Sequence, residues 1–476
     1  MLSEIRDRLV GLCFIVGNGI LENMEKRRLI SVIKYIIAVF LMMFVISGMV
    51  CPVAATEAGD DETINILLVG NSLTKNRTHE EGNSIQGHLE RMIEASGKQA
   101  YVETIAFNGG SLKNYAGMNP DKPKQAKRFR KKLKSADWDY VIIQERTALH
   151  YKGHEKKSLP AIKKIISMIQ NQSPRAEIYY YVPRGFDQYS AYDGSVRMTA
   201  KQMEGYLGAA AARIGERFDI EVIPVNLMFY RCGLLYPNIQ LIGDDDKHPN
   251  SAGVFFAAAC IYQKIFDEVP KIDEEVLEFA DISRKRADLF IGLWGKGMTS
   301  EQVEVILRPG EKYTMNVSFE NKKEKSDVTY RSLNKKIAKV DSKTGEISAV
   351  KSGMTAIVAE TKDGWQAYCT VYVPYGDVTE VKAQLHEDSM GQVLGIKLTW
   401  QKQKGARYEV YRSTSLSGRY EKIGSVRKPQ FVDRTTTSGK DWYYKVLAVN
   451  EYASCAGNMS QAVMVSRAEE KKANIK

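Results

Sequence analysis

The chain has 476 residues, 44% of them hydrophobic, and carries 68 Lys and Arg against 57 Asp and Glu, a formal net charge of +11. That length predicts two to four domains, and the apolar fraction is ample for packed cores. The basic residues are spread along the whole chain without an aromatic-interleaved platform, so nucleic acid is not the expected partner.

Residues 1–55 read as an N-terminal extension and a signal peptide or membrane segment. Met24 is a plausible start, Lys26-Arg27-Arg28 form a basic leader, and Leu29 to Val50 is almost wholly apolar apart from Lys34. Val53-Ala54-Ala55 then offers small residues for cleavage. The apolar run is also long enough to span a bilayer, so an uncleaved anchor is the alternative. Val50 is too large to precede a lipid-modified Cys51. After cleavage Cys232, Cys260, Cys369 and Cys455 remain, at spacings that fit no zinc pattern. Cys232 and Cys260 can pair in an oxidising compartment; isolated buried thiols are the simpler expectation.

From residue 60 to 272 apolar strands alternate with amphipathic helices. Ile64–Val69 is predicted as a strand, Ser84–Ala95 as a helix, Tyr101–Ala106 as a second strand and Tyr140–Ile143 as a third. Leu159–Ile169 is a helix, Glu177–Val182 a fourth strand, Met198–Phe218 a helix, Glu221–Pro224 a fifth strand and Ser251–Phe266 a final helix. This alternation predicts a parallel sheet covered on both faces, with ligands at the carboxyl ends of its strands. The basic run Lys122 to Lys134 falls between two core strands. It reads as a solvated face, with attraction to an anionic polymer as the functional alternative. Residues 273–299 form a helical connector.

Two features of this region carry chemistry. Ile64 to Val69 drives into Gly70-Asn71-Ser72-Leu73-Thr74, which places Ser72 at a strand end. Asp245-x-x-His248 stands just before the helix that starts near Ser251. A serine hydroxyl is a poor nucleophile without a base, and the base needs a group that fixes its tautomer. Ser72, His248 and Asp245 can fill those roles in order. His79, His88, His150 and His154 read as surface or pocket-rim residues. No metal or other cofactor is expected, since the His150/His154 pair lacks an acidic partner.

Gly70-Asn71-Ser72-Leu73-Thr74 resembles the first block of the SGNH (GDSL-type) hydrolase family, with asparagine where many members have aspartate. Asp245-x-x-His248 matches the last block. The resemblance spans about residues 62–268. It implies a flavodoxin-like three-layer α/β/α hydrolase domain with a catalytic triad of Ser72, Asp245 and His248. It also implies an oxyanion hole that includes the Ser72 amide and a glycine amide of the second block, here Phe107-Asn108-Gly109-Gly110-Ser111. Gly109 or Gly110 can supply it, with Gly109 favoured by analogy. Asn108 and Gly110 are candidate substrate contacts. The third block departs from the family, which usually shows Gly-x-Asn-Asp: Ile143 runs into Gln144-Glu145-Arg146, and Gln144 is the candidate replacement donor. Glu145 and Arg146 read as structural.

From 300 to 375 the pattern changes to period two. Strands are predicted at Val328–Tyr330, Ile337–Val340, Ile347–Val350, Ala356–Ala359 and Tyr368–Val373, with turn residues between them. The segment resembles the bacterial Ig-like domain, group 2. Residues 377–467 resemble a fibronectin type III domain, through Ile396-Lys397-Leu398-Thr399-Trp400, Tyr408-Glu409-Val410-Tyr411-Arg412 and Trp442-Tyr443-Tyr444-Lys445-Val446. Both imply all-β sandwiches, read as spacers or weak glycan or protein binders. Trp400 is expected in a core. The tail 468–476 is charged.

The combined expectation is an exported serine esterase. It would act on short acyl esters, chiefly acetyl on carbohydrate, at a cell surface or polysaccharide. A catalytically degenerate binding or adhesion protein is the alternative, motivated by the altered third block.

Overall fold

The computed structural model describes residues 63–75, 84–151, 156–185, 188–190, 197–245, 247–295, 297–320, 327–450 and 457–467. The segment 1–55 read as an export signal or membrane segment, His79, His154 and Cys455 lie outside these residues.

The first domain is built on five parallel strands: β1 (Ile64–Gly70), β2 (Ala100–Ala106), β3 (Tyr140–Ile143), β4 (Glu177–Tyr181) and, beyond a small antiparallel hairpin of β5 (Gln188–Ser190) and β6 (Arg197–Thr199), β7 (Glu221–Ile223). Their order is β2-β1-β3-β4-β7. With the hairpin set aside this is 2-1-3-4-5, the flavodoxin-like order, whose direction reverses between β1 and β3. Ile66, Leu67, Leu68 and Val69 are all fully buried. A strand so apolar on both faces requires cover above and below, which is what parallel sheets have.

The helices provide that cover. After the single turn α1 (Ser72–Lys75) come α2 (Ile85–Ala95), the short α3 (Leu112–Tyr115) and α4 (Pro123–Leu133). Further along are α5 (Leu159–Gln172), α6 (Ala200–Phe218), α7 (Val225–Leu235) and α8 (Ser251–Phe266). The basic run is the outer face of α4, which buries only Ala126, Phe129 and Leu133. Helix α8 is apolar almost all round, and nearly every residue from Ala252 to Ile265 is buried.

The predicted connector is two short helices, α9 (Glu274–Ala280) and α10 (Arg284–Leu293), separated by Asp281 in the left-handed region. Both belong to the first domain: Val276, Leu277, Phe290 and Leu293 join the core cluster around α8. Helix α7 was not expected from the sequence. It starts at Pro224 without a side-chain cap, so its start carries no local signal.

Residues 298–373 form the first sandwich. Its larger sheet orders Val328–Ser332, Gly353–Thr361, Gln366–Val373 and Glu304–Ile306, and a three-stranded sheet holds Lys312–Thr314, Glu346–Ala349 and Ala338–Val340. The second sandwich pairs a three-stranded sheet (Lys382–Glu387, Val393–Thr399, Gln430–Asp433) with a four-stranded one (Glu421–Val426, Arg407–Ser413, Lys440–Val449, Val463–Arg467). Trp400 is in its core, edge-on to Tyr408 at 5.2 Å.

The first sandwich is docked, unlike a spacer. Trp365 lies in the α8 core cluster, and Leu333, Ala356 and Val358 lie in the cluster on the sheet's other face. Arg231 of α7 stacks on the Trp365 ring at 3.6 Å and pairs with Asp363 at 3.1 Å. Glu360 is 8% exposed and receives Lys201 of α6 at 3.1 Å and the Tyr230 hydroxyl of α7.

Candidate active site

Ser72 opens α1 immediately after β1, at the topological switch point, where ligands bind in sheets of this kind. The turn before it is tight. A Cβ on Gly70 would lie 2.0 Å from the Thr74 hydroxyl and 2.6 Å from the Gln144 side-chain oxygen, so only glycine fits. Asn71 turns the chain by accepting the Leu73 amide at 3.0 Å.

His248 comes from the loop before α8. That loop folds back on itself: Gly243 donates to the His248 carbonyl at 2.9 Å, and Asn250 donates to Leu241 at 3.0 Å. Asn250 also caps α8 through Gly253 at 3.0 Å, fixing the loop to a fully buried helix. Asp245 has two tasks. Its Oδ1 accepts the Lys247 and His248 amides at 2.9 and 2.8 Å, which makes the turn. Its Oδ2 meets His248 Nδ1 at 2.5 Å.

His248 Nε2 stands 2.9 Å from Ser72 Oγ, across 176 residues of sequence. With Asp245 accepting from Nδ1, the proton is assigned to that nitrogen, and Nε2 is left as the acceptor for the serine hydroxyl. Burial works to raise the Asp245 carboxyl. The two turn amides and the His248 ring outweigh it and hold the group at about 2. Asp245 is therefore a carboxylate whenever the ring needs an acceptor.

The second-block loop supplies backbone donors. Gly109 has φ +62° and is exposed at the turn, and its amide has no hydrogen-bond partner among the described residues. The Gly110 amide is engaged with the Phe107 carbonyl at 2.8 Å. Of the two glycines, Gly109 therefore presents the available N–H. The Ser72 amide at the head of α1 is likewise without a partner among the described residues. Asn108 is exposed beside Gly109.

Gln144 departs from its expected place. It is 1% exposed and turned toward the turn that carries Ser72. Its oxygen accepts the Asn71 amide at 3.0 Å and the Thr74 hydroxyl at 2.7 Å, while its nitrogen donates to the Glu145 carbonyl at 2.5 Å. An amide held this way shapes the turn that carries Ser72. Both donors are buried, and the Gln144 oxygen is the acceptor that satisfies them.

Two further residues escaped the sequence reading. The Tyr115 hydroxyl donates to the Gly70 carbonyl and accepts the Phe107 amide at 3.1 Å, tying the two blocks together. Phe129 of the basic helix packs against the Tyr115 ring at 5.8 Å. Nothing local to Tyr115 signals this role. Asn71 was quoted only as a motif letter, yet its Nδ2 donates to the Gly110 carbonyl at 3.3 Å.

His88 and His150 are not rim residues. His88 is fully buried with its ring 4.7 Å from that of Phe279. Burial, aided by Arg91, pushes it down to about 3, so it packs as a neutral aromatic. His150 is buried against the Tyr180 hydroxyl at 2.7 Å. Cys232 and Cys260 are free buried thiols, and burial raises Cys232 to about 11. Among the described residues no group of three or more His, Cys, Asp or Glu is arranged to hold a metal.

A cavity of about 600 Å³ opens beside the loop that carries Asp245 and His248. Its wall includes Asp244, Tyr230, Phe229, Arg184 and Glu204.

Residues 296–371 match the family of bacterial Ig-like domains (group 2). Among solved structures, the chain is similar to a DUF4886 family protein from Bacteroides uniformis, at 15% identity and a TM-score of 0.39, covering 49% of this chain and 93% of that one. It is similar to a lipase/acylhydrolase from Enterococcus faecalis, at 17% identity and a TM-score of 0.32, covering 44% and 100%. It is also similar to an Fn3-like protein from Clostridium thermocellum, at 28% identity and a TM-score of 0.17, covering 20% and 94%. No curated protein matches the chain.

Proposed function

We propose that the chain is an exported serine esterase of the SGNH type, which removes short acyl groups, chiefly acetyl, from carbohydrate. The observation that carries this reading is the continuous line from Asp245 Oδ2 through His248 to Ser72 Oγ, with contacts of 2.5 and 2.9 Å. A hydroxyl, a base of assigned tautomer and an ionised orienting group in one line make an activated nucleophile.

In the reaction Ser72 Oγ attacks the ester carbonyl carbon as His248 Nε2 takes its proton. The carbonyl oxygen becomes an oxyanion that accepts from the Ser72 and Gly109 amides. Each such donor contributes about 3 kcal/mol to the transition state. Collapse breaks the acyl–oxygen bond, and the imidazolium returns its proton to the departing alcohol. Water, deprotonated by His248, then attacks the acyl-enzyme and releases the acid and free Ser72.

The substrate class rests on two features. The leader at Met24 to Thr56 has the form of an export signal. A bacterial Ig-like module follows the hydrolase domain. Together they favour a polymeric or cell-surface carbohydrate.

The test is p-nitrophenyl acetate turnover by the purified mature chain beside Ser72→Ala, followed by an acetate-release screen over acetylated polysaccharides. Equal rates for the two proteins remove Ser72 as nucleophile. The rival reading is an inactive binding or adhesion protein, which predicts no labelling of Ser72 by a fluorophosphonate probe.

A further inference from the structure

Glu145 is the buried ionisable group beside the site that the reaction above does not use. It is 1% exposed at the end of β3, next to Gln144. Its carboxyl accepts the Arg146 amide at 2.7 Å and, with both oxygens, the Leu112 amide at 3.3 and 3.4 Å. Leu112 is the first residue of α3 and follows Gly109-Gly110-Ser111 directly.

The loop from Phe107 to Leu112 is thus held from outside at three points. The Tyr115 hydroxyl takes the Phe107 amide, Asn71 donates to the Gly110 carbonyl, and Glu145 takes the Leu112 amide. The first two anchors lead back to the turn around Ser72. The third comes from β3, on the other side of β1, and closes the far end of the loop.

We propose that Glu145 is a positioning residue whose carboxylate sets the loop presenting the Gly109 N–H, and that protonation of this carboxylate loosens the loop and slows the reaction. This rests on the esterase reading of Ser72. An ionised carboxylate only accepts, so it can face two backbone donors from two segments at once. The protonated acid keeps one carbonyl oxygen for both amides but loses the charge-assisted acceptor at the other, so the shared contact with the Leu112 N–H weakens.

The proton is within reach of ordinary conditions. Burial pushes Glu145 up to about 7, against the pull of the Arg146 amide, the Ser158 hydroxyl beside it and the Leu112 amide. Among the described residues, the charged and titratable groups that act on it are Arg146 on its own segment and Tyr115 on α3. Neither is a carboxylate or an imidazole that would titrate in the same range.

The experiment compares the mature full-length protein with Glu145→Gln and Glu145→Asp. It measures kcat and KM for p-nitrophenyl acetate from pH 5 to 9, together with hydrogen–deuterium exchange of residues 107–112 relative to β1. Glu145→Gln should lower kcat by roughly tenfold to a hundredfold above pH 8 with KM little changed, the scale of a misplaced catalytic group. The deficit should shrink as the pH falls through 7, because the wild type then loses its own carboxylate. Glu145→Asp should restore a pH-dependent rate. The 107–112 amides should exchange faster in Glu145→Gln at every pH, and in the wild type only below pH 7.

An unchanged kcat for Glu145→Gln overturns the proposal. So does a deficit of the same size at every pH, which marks a merely structural role, or an unchanged exchange rate. The exchange arm needs no turnover. If Ser72→Ala keeps full activity, the esterase reading fails, and the exchange data still decide whether Glu145 holds the loop.

Discussion

The Gln144 side-chain oxygen lies 3.0 Å from the Asn71 amide nitrogen, holding in place the residue immediately before Ser72. Removing that oxygen strands two buried donors, the Asn71 N–H and the Thr74 hydroxyl. Gln144→Ala should cost about 1–3 kcal/mol for each stranded group. Denaturant melts should show that loss together with a lower kcat. A pure oxyanion donor behaves differently, lowering kcat at near-constant stability, so the two measurements separate the roles.

Asp245→Asn tests the tautomer. The Asn oxygen can still accept the Lys247 and His248 amides and keep the turn, but its NH₂ group faces His248 Nδ1 and drives the proton to Nε2. The serine then has no acceptor for its proton. The expected fall in kcat is large, up to about 10⁴-fold, with KM nearly constant. Steady-state kinetics beside an unchanged circular dichroism melt check this outcome.

Glu145 makes the fold pH-sensitive with a defined sign. Its carboxyl rises from the ordinary 4.5 to about 7, so between those values the folded chain holds a proton that the unfolded chain has released. Stability through this group is therefore greatest below pH 4.5 and declines as the pH rises to 7, by a total on the order of 3 kcal/mol. Glu145→Gln should flatten that slope, as read by urea titrations at pH 5 and pH 8. The ionised form is then less stable but better ordered at the loop, a conflict of the kind expected near working sites.

The two sandwiches should behave differently on deletion. Removing residues 377–476 takes away a module with its own core and should leave turnover and the melting of the first domain unchanged. Removing residues 297–476 strips Trp365, Leu333, Ala356 and Val358 from two core clusters and should give a strongly destabilised or aggregating protein. The point substitution Arg231→Ala removes the stack on Trp365 and the pair with Asp363. It should cost about 1–3 kcal/mol, the ion-pair share being small because Asp363 is 40% exposed. Differential scanning calorimetry of the variants checks each case.

Much of the scaffold was legible because its signals are local. Ile66 to Val69 is an apolar run ending at a Gly-x-Ser turn, and it forms the body of the interior strand β1. Asn250 and Ser251 read as a helix start, and Asn250 caps α8. The three-residue strands Glu304–Ile306, Lys312–Thr314 and Val317–Phe319 were missed because three residues cannot display a period of two against background. His88 was misplaced because its neutral aromatic burial depends on Phe279, nearly two hundred residues away.

Residue type and spacing alone determined that Ser72 ends a buried strand, that Asp245 stands three residues before His248, and that three kinds of domain follow one another. Strand alternation, turn chemistry and helix caps act over a few residues, and those are written in order along the chain. Tertiary structure decided who meets whom: His248 with Ser72, Gln144 with Asn71 and Thr74, Glu145 with Leu112, and the first sandwich with α6 and α7. Each of these is a choice of hydrogen-bond or packing partner made in a dense interior, where the nearest unsatisfied group wins and sequence distance has no weight.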